Sequence, residues 1–503
     1  MTQAEVASQQ IERFRPREPY QMIIGGRWLP GDEGTFDAVD PSTGEVWATI
    51  PEASQAQVRL AVDEARRALV DWRRSSLGTR QRILSAIADR VEADPDRWAR
   101  LLPTENGRPM RETYMADVPA CTDIFRYFAG VVRGWTGDQI PTEDADALVY
   151  TTREPLGVIA AVLPWNSPII TLANKIAPAL AAGNTVVVKP SEFASASILE
   201  FARLVDGLLP AGVLNVVTGG GAVGAALVSH PDVAKVTLTG GGPTARKIMA
   251  AAAESLTPCL MELGGKSAMI VTQDADVETA VADAAKGIFL SNGEVCVASS
   301  RLLLHEDIAD EFLGRMASVA ASIKVGDALD PETQMGPLVS RSQFERVSAY
   351  IEGARAEGLV QRVGSESLDL PALNQQGFFV RPTIFENTKA NARIASEEIF
   401  GPVVVAERYT DDEDAVARAN GTRYGLAAGV WTLNLARAHR IASRLEAGIV
   451  WVNKWFDLAT GVPMGGIKDS GFGRELCRET LLEYSAPKVV NIDLGSPRRQ
   501  LWG

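Results

Sequence analysis

The sequence predicts an α/β protein built from two doubly wound parallel sheets and a separate β-strand arm. Short β-rich runs at 158–163, 185–189, 214–218 and 235–239 alternate with helical stretches at 168–182, 195–208, 222–229 and 244–255. A second series has β-rich runs at 267–271, 301–305, 381–385, 403–409, 427–431 and 448–453. Strands separated by helices are joined by crossovers and not by hairpins, so they lie parallel with helices on both faces. A last run, 488–494, stands alone near the end of the chain. A lone strand is not stable, so it must join a sheet elsewhere, and a second subunit is the expected donor of that sheet.

Ahead of the first series, Ser54 is a capping residue for an amphipathic helix through Trp72. Val58, Leu60, Ala61, Ala65, Leu69 and Trp72 share one face of it. Two further helices are expected over 78–104 and 110–133. The segment 147–157 is extended chain interrupted by Pro155 and Gly157. No internal repeat or low-complexity stretch occurs.

At 503 residues, the chain is long enough for two or three domains. A net charge of −13 would repel nucleic acid and anionic membrane, so neither is an expected partner. Cys121, Cys259, Cys296 and Cys477 are the only cysteines, and their wide spacing fits free thiols in a reducing compartment, with no disulfide scaffold and no metal site. The polar leader lacks a signal-peptide core, and no apolar run is long enough to cross a bilayer, so a cytoplasmic enzyme is expected. His230, His305 and His439 are too scattered for histidine-based acid–base chemistry.

Unusual residues collect where the strands end, which is where open α/β sheets bind ligands. PWNSP (164–168) follows the first strand, KPSE (189–192) ends the second and TGGGPTAR (239–246) ends the fourth. MELGGKS (261–267) links the two series, and GEVCVASS (293–300) lies early in the second. EEIFGPV (397–403) and PMGGIKDSGFGRE (463–475) complete the set. Glycines beside charged or nucleophilic residues mark backbone that must approach a ligand closely.

In their order and spacing these motifs resemble the aldehyde dehydrogenase superfamily over nearly the whole chain. The resemblance implies a cofactor-binding domain (1–136 and 156–264), a catalytic domain (265–470) and an oligomerisation arm (137–155 and 480–503), the first two Rossmann-type. It also implies NAD as cofactor, with NADP possible, an aldehyde as substrate, and a homodimer or homotetramer.

Cys296 matches the family nucleophile. A thiolate suits attack on an aldehyde carbon, because the adduct can release hydride and leave a thioester that water cleaves. Asn166 matches the oxyanion-hole asparagine, acting with the backbone N–H of Cys296. Glu262 matches the general base for thioester hydrolysis, and Glu475 resembles a second acid near it. Lys189 and Glu192 match the cofactor-ribose residues, where a carboxylate accepts from a free 2′-hydroxyl and repels a 2′-phosphate. Trp165, Gly240 and Gly241 are expected at the pyrophosphate, and Glu398 and Phe400 at the nicotinamide ribose and ring. Without the family match, each has a plainer role: a packed thiol, a turn asparagine, a structural ion pair or a surface charge.

Ile170, Asn174, Trp455, Phe456 and Asp457 are expected to wall the aldehyde channel. Trp455 and Phe456 would offer ring faces and Asp457 a negative charge, favouring aromatic, aliphatic or amino aldehydes over semialdehydes of dicarboxylic acids. Arg126 and Arg133 are the nearest candidates to grip an acidic substrate.

Three features depart from the pattern or mimic another. Gly241 stands where the family often has a pyrophosphate-binding serine, and Ala245 replaces a glycine. Glu294 stands where glutamine is common before the nucleophile, and its charge must face away for Cys296 to ionise. The run GGGAVG (219–224) satisfies a dinucleotide fingerprint but is read as a turn. A coenzyme A-acylating enzyme is the nearest alternative, and Glu262 argues against it. A non-catalytic binding or structural protein on the same scaffold, or a Cys–His thiol hydrolase, fits the site residues less well.

Overall fold

The structure is a computed structural model that describes residues 12–387, 389, 392–495 and 502. The ends of the first expected domain and of the arm, 1–11 and 496–501 with 503, lie outside the described residues.

The first sheet carries five parallel strands: β1 (Val158–Val162), β2 (Thr185–Lys189), β3 (Leu214–Val216), β4 (Val233–Thr239) and β5 (Cys259–Glu262). Their order across the sheet is β3-β2-β1-β4-β5. The chain therefore starts in the middle, winds one way to β3 and returns to the other side at β4. That reversal opens a crevice between the carboxyl ends of β1 and β4. β1 and β2 are buried along their whole length, as expected of strands covered on both faces.

Helix α1 (Pro168–Ala182) follows β1, α2 (Ala196–Val205) follows β2, α3 (Gly221–Val228) follows β3 and α4 (Gly242–Glu254) follows β4. Pro168 begins α1, where its missing N–H costs nothing. Gly183 ends it in the left-handed conformation. The GGGAVG run turns the chain at Gly219 and then starts α3, so it is a turn only in its first half.

The second sheet contains β6 (Ala268–Val271), β7 (Arg301–His305), β8 (Thr383–Glu386), β9 (Val403–Tyr409), β10 (Ala427–Trp431) and β11 (Ile449–Val452). Their order is β8-β9-β7-β6-β10-β11 and all are parallel. Helix α5 (Val277–Phe289) leads from β6 to the turn before Cys296. Both sheets gain short edge strands that have too few residues to show a period: Met22–Ile24, Arg27–Leu29 and Gly471–Phe472 on the first, Val360–Val363 on the second.

Three expectations need correction. The helix 78–104 is two helices, Leu77–Glu92 and Pro95–Asn106, because Pro95 supplies no N–H to continue the first. The helix 110–133 is interrupted by a π-helical turn at Thr113–Asp117, just before Pro119. The terminal strand is not an orphan. Ser485–Asp493 pairs antiparallel with Ala147–Pro155 of the same chain over nine residue pairs, and Gln139–Ile140 adds a third strand. Among the described residues, no helix is long and apolar enough to cross a membrane.

Candidate active site

Cys296 follows a backbone turn of unusual geometry. Ser291, Asn292 and Gly293 all adopt positive φ, at 52°, 59° and 72°. Such conformations cost about 1–3 kcal/mol each for residues with a side chain, so they persist only where the surroundings fix them. The carboxylate of Glu112 accepts from both the N–H and the hydroxyl of Ser291, at 3.0 and 2.9 Å. Asn292 donates to the carbonyls of Gly107 and Pro337 and accepts from the N–H of Gly336. Gly293 lies directly on the backbone of Gly401 and Pro402, where a Cβ would collide. Trp455 supports the other side by donating from its indole N–H to Val297 O at 3.1 Å.

The PWNS loop at the end of β1 is tied to the same framework. Arg108, buried against Asp117 at 2.9 Å and Glu112 at 3.4 Å, donates to Asn166 O and Ser167 Oγ. Asn106 donates to Trp165 O at 3.1 Å. Asn166 then points its amide at the nucleophile loop, donating to Glu294 O at 2.9 Å. An amide nitrogen carries two protons, so one remains for an oxyanion. The Glu294 carboxylate turns away and accepts from Val339 N–H at 3.1 Å.

The thiol of Cys296 is half-buried, and burial pushes it up to about 12, with the charges of Glu262 and Glu398 adding to the effect. The N–H groups of Cys296 and Val297 act in the opposite direction. The resting sulfur is therefore a thiol at neutral pH. Glu262 ends β5 with both oxygens buried and without a hydrogen-bond partner. Burial holds its carboxyl well above the usual range. Glu475 adds to this, while Lys175 and Arg474 oppose it. Glu475 is itself buried and accepts from Lys175 Nζ at 2.8 Å, and Lys175 also donates to Thr237 Oγ1 at 3.2 Å.

The crevice at the sheet's switch point has the features of a dinucleotide site. Gly240 and Gly241 lead from β4 into α4, whose first turn has no side-chain cap, so its N–H groups are free for an anion. Thr239 Oγ1 is buried there without a partner. Lys189 is buried at the end of β2, 3.6 Å from half-exposed Glu192. Across the crevice, Glu398 accepts from Gly265 N–H at 2.9 Å and rests on Gly264, where any Cβ would displace its carboxylate. Phe400, held at φ 61°, meets Trp165 edge to face at 5.3 Å. These residues fit a dinucleotide: uncapped N–H groups at the start of α4 for the pyrophosphate, and the Glu192 and Glu398 carboxylates as acceptors for ribose hydroxyls.

The fold is shared with known proteins. Residues 28–490 match the model of the aldehyde dehydrogenase family. The chain belongs to that family. Among solved structures, PnpE from Pseudomonas sp. WBC-3 is 41% identical, over 96% of this chain and 100% of that one, with a TM-score of 0.94. A point mutant of an aldehyde dehydrogenase from Bacillus cereus is 37% identical over 95% and 97%, with a TM-score of 0.92. Betaine aldehyde dehydrogenase from Staphylococcus aureus, in complex with NAD+, is 34% identical over 97% and 97%, with a TM-score of 0.94.

The channel residues fare unevenly. Ile170 and Asn174 sit one turn apart on α1, and the buried Asn174 Oδ1 has no partner. Trp455 is not a channel wall. It is buried, stacks on Trp431 at 6.0 Å and tilts against Trp451 at 4.9 Å. Large indole rings bury readily where their N–H finds an acceptor, and Val297 O provides one. Phe456 is half-buried at φ 66°. Asp457 is exposed and paired with Lys454, so its charge is offset, and the two line a recess with Trp451, Leu458, Val462 and Met464. Arg126 is engaged by Asp89 and Glu92 on the outer surface, and Arg133 lies against Gly78. Neither reaches the site. Sequence reading missed Arg108, Glu112 and Lys175, which sit in no motif and meet their partners only through the fold.

Proposed function

We propose that this chain oxidises an aldehyde to the carboxylic acid with NAD, through a thioester on Cys296. The observation that carries the reading is that the Asn166 amide donates to Glu294 O, two residues before Cys296, while the buried, unpartnered Glu262 carboxyl lies close enough to act on the Cys296 thiol. The crevice bounded by Gly240, Gly241, Lys189 and Glu398 would hold NAD, which when bound would supply the hydride acceptor and a cationic ring. Cys296 passes its proton to water and attacks the aldehyde carbon as a thiolate, forming a C–S bond while the carbonyl oxygen gains negative charge. The Asn166 Nδ2 proton and the Cys296 N–H stabilise that oxygen. As the carbonyl re-forms, hydride leaves the carbon and the thioester remains. Glu262 takes a proton from water, which attacks the thioester; the C–S bond breaks, and the acid and the thiol are released. Glu475 and Lys175 set the charge around Glu262.

Lys189 and Glu192 are assigned to the adenine-side ribose, Glu398 to the nicotinamide ribose, Phe400 and Trp165 to the nicotinamide ring and pyrophosphate, and Gly240 and Gly241 to the pyrophosphate. Complexes of the S. aureus relative and of PnpE with NAD support that cofactor. A homodimer or homotetramer is proposed from the three-stranded arm, which presents Ile140, Val489, Ile492 and Leu494 to solvent. The deciding experiment is Cys296→Ala combined with product analysis. Turnover must disappear with the fold intact, and wild type must release free acid; acyl-coenzyme A as the product would reassign the thioester's acceptor.

A further inference from the structure

Lys266 is an anomaly that the reaction does not use. It follows the Gly264–Gly265 pair on which Glu398 rests, is only 2% exposed, and its Nζ has no hydrogen-bond partner. A buried ammonium without a partner is costly, so its placement asks for a compensating charge. The charged groups that face it are Arg301, Glu398, Glu407 and Glu397, and Tyr424 and Glu446 line the same recess, with Glu446 paired to Lys468. Glu407 is already engaged by Arg301 at 3.0 Å and Asn387 at 3.2 Å. Glu397 is engaged by Tyr350 at 2.6 Å and Arg393 at 2.8 Å. Glu398 is the carboxylate left, since the Gly265 N–H alone donates to it.

We propose that Lys266 is a positioning residue for cofactor binding, whose ammonium holds Glu398 ionised so that it accepts hydrogen bonds from the nicotinamide ribose. The inference rests on the assignment of Glu398 to that ribose. The site's electrostatics agree with it. Burial pushes Glu398 up to about 7, while the Gly265 N–H, then Arg346 and then Lys266 pull it back. Burial and Arg301 together bring Lys266 down to about 7. Tyr424 and Cys296 also lie within the field of Glu398. The two groups thus titrate in one window, and loss of the ammonium must move the carboxyl upward, toward the neutral acid. A neutral carboxyl is a poorer acceptor than a carboxylate.

The test is NAD affinity from pH 6 to 9, followed by tryptophan fluorescence without aldehyde. Wild type should bind NAD more tightly as pH rises through about 7. Lys266→Met and Lys266→Gln should both move that midpoint upward by roughly one pH unit, weakening binding about three- to tenfold at pH 7 and little at pH 9. A merely structural role for Lys266 would instead weaken binding by the same factor at every pH. An unmoved midpoint in either soluble variant overturns the proposal. Glu398→Gln separates the two levels. If it binds NAD as wild type does at every pH, the ribose assignment fails; if it binds weakly and without pH dependence while Lys266→Gln keeps the wild-type midpoint, only the Lys266 proposal fails.

Discussion

Lys175 Nζ lies 2.8 Å from Glu475 Oε1, and neither residue reaches solvent. Glu262 shares that buried space, so one ammonium serves two carboxyl groups. Two like charges in low dielectric cannot both ionise easily, and Lys175 pairs with Glu475. The proton therefore stays on Glu262 until the pH rises, and thioester hydrolysis should be suppressed on the acid side. Glu475→Gln removes the negative neighbour and frees Lys175, and both changes favour ionised Glu262. The acid limb of steady-state turnover should move down by about one pH unit. The same variant removes a buried charged hydrogen bond from Lys175 and should lose about 1.5–3 kcal/mol in urea unfolding. A limb that stays in place would disprove the coupling.

For Cys296, with the thiol pushed up to about 12 in the absence of cofactor, alkylation should be slow at neutral pH. Because only the thiolate reacts, the rate at Cys296 should climb about tenfold per pH unit through pH 9. Peptide mass spectrometry after timed iodoacetamide treatment measures this site by site. A plateau by pH 7 would mean that the resting enzyme already holds a thiolate.

Glu192 is half-exposed beside Lys189, and under the proposed ribose assignment its carboxylate would face a 2′-phosphate. At a few ångströms in partly solvated surroundings, that repulsion is about 1–2 kcal/mol, or roughly tenfold in affinity. Glu192→Gln should raise kcat/KM with NADP by about that factor and lower it with NAD. Equal cofactor preference in wild type and variant would remove Glu192 from discrimination.

Alternating strands and helices were legible because fully buried parallel strands read as continuous runs of valine, isoleucine and alanine. Candidate site positions were legible where chemistry forces a residue type at a strand end, as with Glu262 at the end of β5 or Lys189 at the end of β2. The frame holding the nucleophile was not. Glu112 meets Ser291 across 179 residues of sequence, and Arg108 meets Asn166 across 58, so no local spacing announces either pair. The helix over 110–133 misled for a related reason. Its apolar period is intact, and one proline decides where the hydrogen-bond ladder slips. The resemblance grouped 137–155 with 480–503 in one arm, but the pairing register was hidden, since it is written in two segments over 300 residues apart.

Trp455 shows how an aromatic residue beside a channel can be misjudged from sequence. A ring offered to substrate and a ring packed behind the nucleophile look alike in one dimension. In the structure the ring lies between Trp431 and Trp451, and its N–H holds Val297 O, the residue after Cys296. The two roles differ in what they do to kinetics. A channel wall contributes to binding, so its loss would change KM and the ranking among aldehydes. A support for the nucleophile acts on the geometry of attack, so its loss lowers kcat for all aldehydes alike. Trp455→Phe keeps most of the ring volume and deletes the N–H donor to Val297. It should cost about 1 kcal/mol of stability and lower kcat several-fold, leaving KM ratios across an aliphatic and an aromatic aldehyde unchanged. Trp455→Ala opens a cavity and should cost about 3–5 kcal/mol. If Trp455→Phe instead reordered the aldehydes at unchanged kcat, the indole would have to face the substrate, and the support assigned to it would be wrong.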